Sequence, residues 1–265
     1  PMPTLRRAAA VRIPYVDEGD GPAIVLINGA TLPLAFWNPV AERLAVAARV
    51  IRFDQRNAGA SDFAGSFSLL DVAADVDALL QALGIEQAVV AGHAWGGRVA
   101  QVFARDYPHR LRGLVVCGTG GQIPPDIDPA WPREMAAARK AADRATWDDR
   151  MTRLYCAAGY ARRDPDGFRA TGDVIWNAPR VRAARPDMRI APSPSYWGRA
   201  TAPALLIYAE EDRFGTPANA RDLHARLPGS RLEMLPDAGH FLVREQAGRV
   251  AELIAAFVHG LPAEI

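Results

Sequence analysis

Lysine is nearly missing from this 265-residue chain: Lys140 is the only one, so arginine carries the positive charge. Basic and acidic side chains almost cancel, 31 against 30, leaving a formal net charge of +1. Without a basic excess there is no electrostatic footprint for a polyanion, which argues against nucleic acid as a partner. Arginine pairs such as Arg162-Arg163 are too sparse to form a phosphate-binding tract. Cysteine is equally scarce, with only Cys117 and Cys156. Cys117 lies in the apolar run Leu-Val-Val-Cys and is expected to pack as a small hydrophobe. No Cys-x-x-Cys or Cys/His ligand spacing occurs, so neither a metal site nor a cofactor is expected. No apolar run approaches the roughly 20 residues of a membrane span, and no basic–apolar–small leader opens the sequence. These absences predict a soluble, cytoplasmic protein without a membrane partner. Repeats, low-complexity segments and a long heptad seam are also lacking, so nothing in the sequence sets an oligomeric state.

What remains is a globular composition, 49% hydrophobic and 23% charged. Residues 4–17 read as two short strands and Glu18–Pro22 as a turn. Ala23-Ile-Val-Leu-Ile27 is a continuous apolar run, as expected of a strand covered on both faces. Arg49–Phe53 is the next strand, followed by a loop from Asp54 to Asp62. Ser68-Leu-Leu-Asp71 resembles a capping box, and Val72, Val76, Leu79, Leu80 and Leu83 follow helical spacing up to Gly84. A strand at 88–91 turns into a helix that ends near Tyr107-Pro108, and Leu111–Cys117 is another buried strand. The alternation then stops. Residues 121–198 are rich in proline, arginine, tryptophan and tyrosine, with helical pieces around 130–158 and 165–185. The strand pattern resumes at Ala204–Tyr208, followed by a helix at 217–227, a strand at Arg231–Leu235 and a final helix carrying Val250, Leu253, Ile254, Phe257 and Val258. Strands alternating with helices predict an α/β fold with a mostly parallel sheet. The interruption predicts a core at 1–120 and 199–265 with an inserted helical cap at 121–198.

One further absence is local. Ala88-Val-Val-Ala-Gly-His-Ala-Trp-Gly-Gly97 is a strand turning sharply into a helix, the context of a Gly-x-Ser-x-Gly nucleophile elbow, but alanine stands at the central position. Gly92 and Gly96 would let strand and helix approach closely around a strained residue. Two more sites follow at strand ends. Asp212 lies in Tyr208-Ala-Glu-Glu-Asp-Arg-Phe-Gly-Thr-Pro217, beside the rival acids Glu210 and Glu211. His240 lies in Pro236-Asp-Ala-Gly-His240, before the last helix. In a parallel sheet such loops gather at the carboxyl edge.

The elbow, the acid turn, the histidine turn, the strand end Asn28-Gly29-Ala30 and the loop Asp54-Gln-Arg-Asn-Ala-Gly-Ala-Ser-Asp62 together resemble the α/β-hydrolases over nearly the whole chain. The order nucleophile, acid, histidine is theirs. The Asn-containing loop and the Asp-x-Arg-x-x-Gly-Ala-Ser segment are loosely similar to 3-oxoadipate enol-lactone hydrolases and small esterases. Departures from the family pattern are Asn28 for a histidine, Asn57 for a glycine, and Ala94 for the serine.

The resemblance implies hydrolysis of a carboxylic ester or lactone. A serine at position 94 would attack, His240 would take its proton, and Asp212 would orient the imidazole. Backbone N–H groups of Ala30 and Trp95 would form the oxyanion hole. With Ala94 in place, this chain is expected to be inactive or strongly impaired. Two alternatives stay open. One is a naturally serine-free enzyme using the His240–Asp212 dyad as general base, in lyase or cofactor-free oxygenase chemistry. The other is a non-catalytic ligand-binding member. Trp37, Trp131, Trp147, Tyr155, Trp176 and Trp197 are candidates to line a pocket for a small apolar or aromatic substrate; Tyr196 belongs to the same set. The cap arginines keep a carboxylate-bearing substrate open. His93, next to the elbow, is expected to pack structurally, and His109, His224 and His259 to lie on the surface.

Overall fold

The structure is a computed structural model that describes residues 2–7, 11–178 and 195–262. Eight strands form one sheet: β1 (Thr4–Arg6), β2 (Arg12–Glu18), β3 (Ala23–Ile27), β4 (Arg49–Phe53), β5 (Ala88–His93), β6 (Leu111–Cys117), β7 (Ala204–Ala209) and β8 (Arg231–Leu235). Their spatial order is β1-β2-β4-β3-β5-β6-β7-β8. β1 and β2 pair antiparallel at one edge, and every pairing from β4 to β8 is parallel. The fold is therefore α/β with a mostly parallel sheet.

Side-chain alternation along the strands builds two cores. Val25 and Ile27 of β3 pack with α2 (Leu69–Ala82) and α3 (Trp95–Asp106), while Ile24 and Leu26 pack with α1 (Asn38–Leu44) and α10 (Ala247–Gly260) on the opposite face. All five β3 residues are buried, which is why their sequence shows no polar alternation. Ser68 caps α2, accepting from Asp71 N while the Asp71 side chain accepts from the Ser68 backbone, so the capping box is present. A 3-10 turn at Leu34–Trp37 leading into α1 was not anticipated. Pro33 and Pro39 make that stretch look like loop, yet Pro39 sits in the first turn, where its missing N–H costs nothing.

Between β6 and β7 the described chain is helical: α4 (Trp131–Lys140), α5 (Arg144–Tyr155), α6 (Tyr160–Arg163) and α7 (Pro165–Trp176). The predicted helix at 165–185 thus ends at Trp176; its part beyond residue 178 lies outside the described residues. After β7 come α8 (Pro217–Arg226), then, past β8, the short α9 (Leu242–Glu245) and α10. No helix among the described residues is long and apolar enough to cross a membrane.

The chain runs from β3 outward to β4 in one direction and from β5 to β6 in the other. The crevice beyond the carboxyl ends of β3 and β5 is thus the point where the winding reverses, the place where open parallel sheets bind ligands. The loop after β3 carries Gly29 and Ala30; the turn after β5 carries Ala94.

Candidate active site

The elbow begins where β5 hands over to α3. Ala94 has φ 52° and ψ −115°, a conformation that an L-residue adopts only under strain. Its flanks hold it there: Ala94 N donates to Cys117 O at 2.9 Å, and Gly97 N donates to Ala94 O at 3.0 Å. Neither contact involves the side chain. The turn also needs bare backbone around it. A Cβ on Gly92 would lie 2.0 Å from Gly96 O, and one on Gly96 would lie 2.2 Å from Ile27 O.

The acid turn follows β7. Asp212 is buried, and its Oδ1 accepts backbone N–H groups from Phe214 at 2.8 Å and Gly215 at 2.9 Å. His240, also buried, places Nδ1 2.9 Å from Asp212 Oδ1 and 3.0 Å from Oδ2. Asp212 acts as acceptor throughout, so Nδ1 is the donor and Nε2 of the neutral ring keeps its lone pair. Of the acids in this turn, Asp212 meets the histidine, whereas Glu211 Oε2 accepts from Ala158 N at 2.8 Å.

His240, Ala94, Trp95 and Ala30 line one cavity of about 410 Å³, together with Leu32, Met135, Arg139, Trp147, Tyr155, Ile175, Phe214 and Phe241. The first N–H of α3, that of Trp95, has no acceptor within its helix, as at any helix start. Gln55 fixes the loops around this corner: its Nε2 donates to Asn28 O at 2.7 Å, and its Oε1 accepts from Trp95 Nε1 at 2.8 Å. One wall is a stack of near-parallel rings. Tyr155 lies between Phe214, with centroids 5.0 Å apart, and Phe241, at 4.7 Å, and all three surround His240. The roof is one face of α4, where Pro132, Met135, Ala136 and Arg139 recur at helical spacing.

Not every aromatic candidate reaches this cavity. Trp147 and Tyr155 line it. Trp37 is buried behind the elbow, edge-on to His93 at 6.4 Å. Trp131, first residue of α4, faces a different cleft on the far side of Asp212, under Arg213. Trp176 packs against Trp147 at 5.3 Å, with Arg144 over both rings. Trp197 belongs to the opposite sheet face, where its Nε1 donates to Asp222 at 2.7 Å. Composition identifies aromatics but not which face of an unplaced helix they occupy. The residues missed, Phe214, Phe241, Met135, Arg139 and Gln55, had signals of two kinds. Phe214 and Phe241 adjoin the acid and histidine positions, and the α4 residues share a helical face.

His93, expected to pack structurally, is buried and also borders the cavity, and it has a definite electrostatic state. Its Nε2 lies 2.7 Å from His240 O, and its ring stacks on Phe36 at 5.6 Å. Burial, reinforced by neighbouring His240, pushes its pKa down to about 3. The ring is therefore neutral, donates from Nε2 to the carbonyl, and leaves Nδ1 buried without a partner.

Glu245 is the opposite case. Burial pushes it up to about 7, against the lowering effect of N–H groups from Ala157 and Gly239; Asp212 and Glu211 push it further up. Its folded value exceeds the ordinary 4.5, so the folded protein holds a proton that the unfolded chain releases first. Stability from this group is complete below pH 4.5 and is lost as pH rises through 7. The unfolding free energy is expected to fall across that window by at most about 3 kcal/mol, read from urea denaturation at each pH. Glu245→Gln should flatten the curve between pH 5 and 7.5, and an unchanged slope in that variant would refute the assignment.

Four loops from four strand ends, carrying in chain order Ala30, the elbow, the acid and the histidine, thus meet over a parallel sheet. The sequence profile described as alpha/beta hydrolase fold matches residues 22–246. The chain belongs to the α/β-hydrolase family. It is 31% identical to rhodomycin D methylesterase from Streptomyces sp. (strain C5), over 85% of this chain and 87% of that one. It is 30% identical to a Mycobacterium tuberculosis protein carrying the name non-heme bromoperoxidase, over 92% and 97%. Among solved structures, a malate-bound thermophilic esterase from Thermogutta terrifontis superposes with a TM-score of 0.78 at 26% identity, covering 97% of each chain. This α/β-hydrolase therefore has hydrolases among its relatives, with ester cleavage in the name of one and in the description of another.

Proposed function

We propose that this α/β-hydrolase is built to hydrolyse a carboxylic ester or lactone of a small apolar or aromatic acid, and that Ala94 leaves it able to bind such a substrate but not to be acylated by it. The observation that carries this reading is the His240–Asp212 pair: a histidine held by both oxygens of a buried carboxylate, lining the same cavity as a strained elbow residue. With a hydroxyl at position 94, His240 Nε2 would take its proton as the oxygen attacks the carbonyl carbon. Asp212 would hold the imidazole and stabilise it once protonated. The N–H groups of Ala30 and Trp95 would receive the developing oxyanion, each such donor contributing about 3 kcal/mol. His240 would then return the proton to the leaving alkoxide, and a water would repeat the sequence to release the acid. In this reading the described part of the insertion, residues 121–178 and 195–198, forms a cap over a cytoplasmic enzyme's substrate site. The ring wall, Met135 and Ile175 favour apolar acids, and Arg139 in the lining keeps carboxylate-bearing ones in the test panel.

A second reading rests on the same pair. The dyad is complete without the serine, so His240 Nε2 has a general base's requirements and could activate water or a substrate C–H or O–H bond directly. The two separate on the unchanged chain. Aryl esters and lactones are expected to bind, by calorimetry or ligand-detected NMR, with no hydrolysis above background. If the unchanged chain turns over a substrate and His240→Ala abolishes that activity, the general-base reading replaces the first. If no ester, lactone or corresponding acid binds, the ester reading falls.

A further inference from the structure

The turn between α5 and α6 presents two successive backbone N–H groups to two carboxylates from different loops. Ala157 N donates to Glu245 Oε2 at 2.8 Å, and Ala158 N donates to Glu211 Oε2 at 2.8 Å. Glu211 adjoins Asp212. The other oxygen of Glu245, Oε1, accepts from Gly239 N at 3.1 Å, one residue before His240. A third bond runs the other way, from Phe241 N to Tyr155 O at 3.0 Å. The backbones are in close contact here: a Cβ on Gly239 would lie 2.6 Å from Cys156 C and 2.7 Å from Ala157 N. Three hydrogen bonds therefore tie this cap turn to the acid turn, to Glu245 and to the histidine turn, and the fourth, from Gly239, ties the histidine turn to the same Glu245 carboxylate.

We propose that Glu245 and Glu211 are positioning residues that lock the cap turn 156–158 onto the loops bearing Asp212 and His240. This rests on the reading that Asp212 and His240 are the working dyad. An ionised carboxylate accepts through both oxygens, whereas a protonated one offers a poor acceptor at its hydroxyl oxygen, so Ala157 or Gly239 loses its partner. The groups around Glu245 oppose its ionisation. Asp212 and Glu211 face it from the acid turn, and Cys156 and Tyr160 from the cap. Arg244 adjoins it in sequence, and its guanidinium is engaged elsewhere, donating from Nε to Thr171 Oγ1 at 3.2 Å and lying over Phe36. Glu245 borders a cleft of about 520 Å³ that Arg43, Asp164 and Arg249 also line, and this cleft gives a proton its route.

The test needs no turnover. Across pH 5.5–8.5, the Glu245 side-chain carboxyl ¹³C signal and the Ala157 and Gly239 amide signals are expected to share one midpoint near 7. The His240 Nδ1–H resonance should shift with the same midpoint. Glu245→Gln should remove that midpoint from both amides. Glu211→Gln should perturb Ala158 and leave the Gly239 titration in place. A purely structural Glu245 would alter stability without making the His240 proton follow its titration. The proposal is overturned if the carboxyl titrates without the amides, or if the amide midpoint survives in Glu245→Gln and so belongs to another group. If Glu245→Gln does not fold, agreement or disagreement of the midpoints in the unchanged protein decides. A failure to bind esters would leave these signals untouched, so this proposal and the proposed function fail separately.

Discussion

Ala94→Ser is expected to raise hydrolysis of aryl esters or lactones by roughly 10³–10⁶-fold over the unchanged chain, the range by which removing a nucleophile disables enzymes of this type. The estimate is high because the rest of the machinery is assembled. His240 is already held by Asp212, and the loops carrying Ala30 and Trp95 are already fixed through Gln55. Position 94 already has the strained backbone, φ 52°, that an elbow nucleophile needs. Serine adds one oxygen to a residue whose hydrogen bonds are made by backbone alone, so the fold has little to readjust. Rapid-mixing kinetics should show a burst of alcohol release, and mass spectrometry should find the protein heavier by the acyl group. Adding His240→Ala to the serine variant should return the rate to near background. If the folded Ala94→Ser variant hydrolyses nothing on a broad panel, the ester and lactone proposal is wrong.

The largest loss of stability is expected from Gly92→Ala, about 4 kcal/mol or more. A methyl group there would sit 2.0 Å from Gly96 O and 2.2 Å from Gly96 C, backbone atoms that cannot rotate aside. Relief requires β5 and α3 to separate, which breaks the contact between a central strand and the helix that packs on it, and overpacking costs of that kind are among the largest single-residue effects. Gly248→Ala provides the contrast. It lies in the first turn of α10 with only Arg43 Nε at 3.8 Å from a new Cβ, so the change should be neutral or stabilising by up to about 1 kcal/mol. Urea denaturation of both variants measures the difference. A Gly92→Ala protein as stable as the parent would mean that the close strand–helix approach at the elbow is not required.

The sheet was legible in the sequence because its central strands are short, apolar on both sides and separated by helices with clear spacing; β3 and the Ser68 cap are the plainest cases. Asp212 and His240 were legible for a related reason. Strand ends are easy to find, and a parallel sheet brings them to one edge whatever the distance along the chain. The surroundings of the site were not legible to the same degree. Trp131, Trp176 and Trp197 occur in the same aromatic-rich stretch as Trp147, but lining the cavity depends on how each helix is rotated and, for Trp197, on the path of the turn that carries it, and no periodic pattern spans that stretch. Trp37 was placed wrongly for another reason: the helix it precedes was hidden by prolines that its first turn tolerates. The partners of Glu245 were invisible because they are backbone N–H groups, which every residue but proline carries.

The hydrogen bonds that hold Ala94 in its unusual conformation come from Cys117 and Gly97, not from anything at position 94 itself. That has a genetic consequence. Every alanine codon becomes a serine codon by one change at its first base, so a single point mutation would supply the hydroxyl that the proposed mechanism requires, with no backbone rearrangement to wait for. In a population selected for growth on a suitable ester, an Ala94→Ser mutant should be among the first to appear.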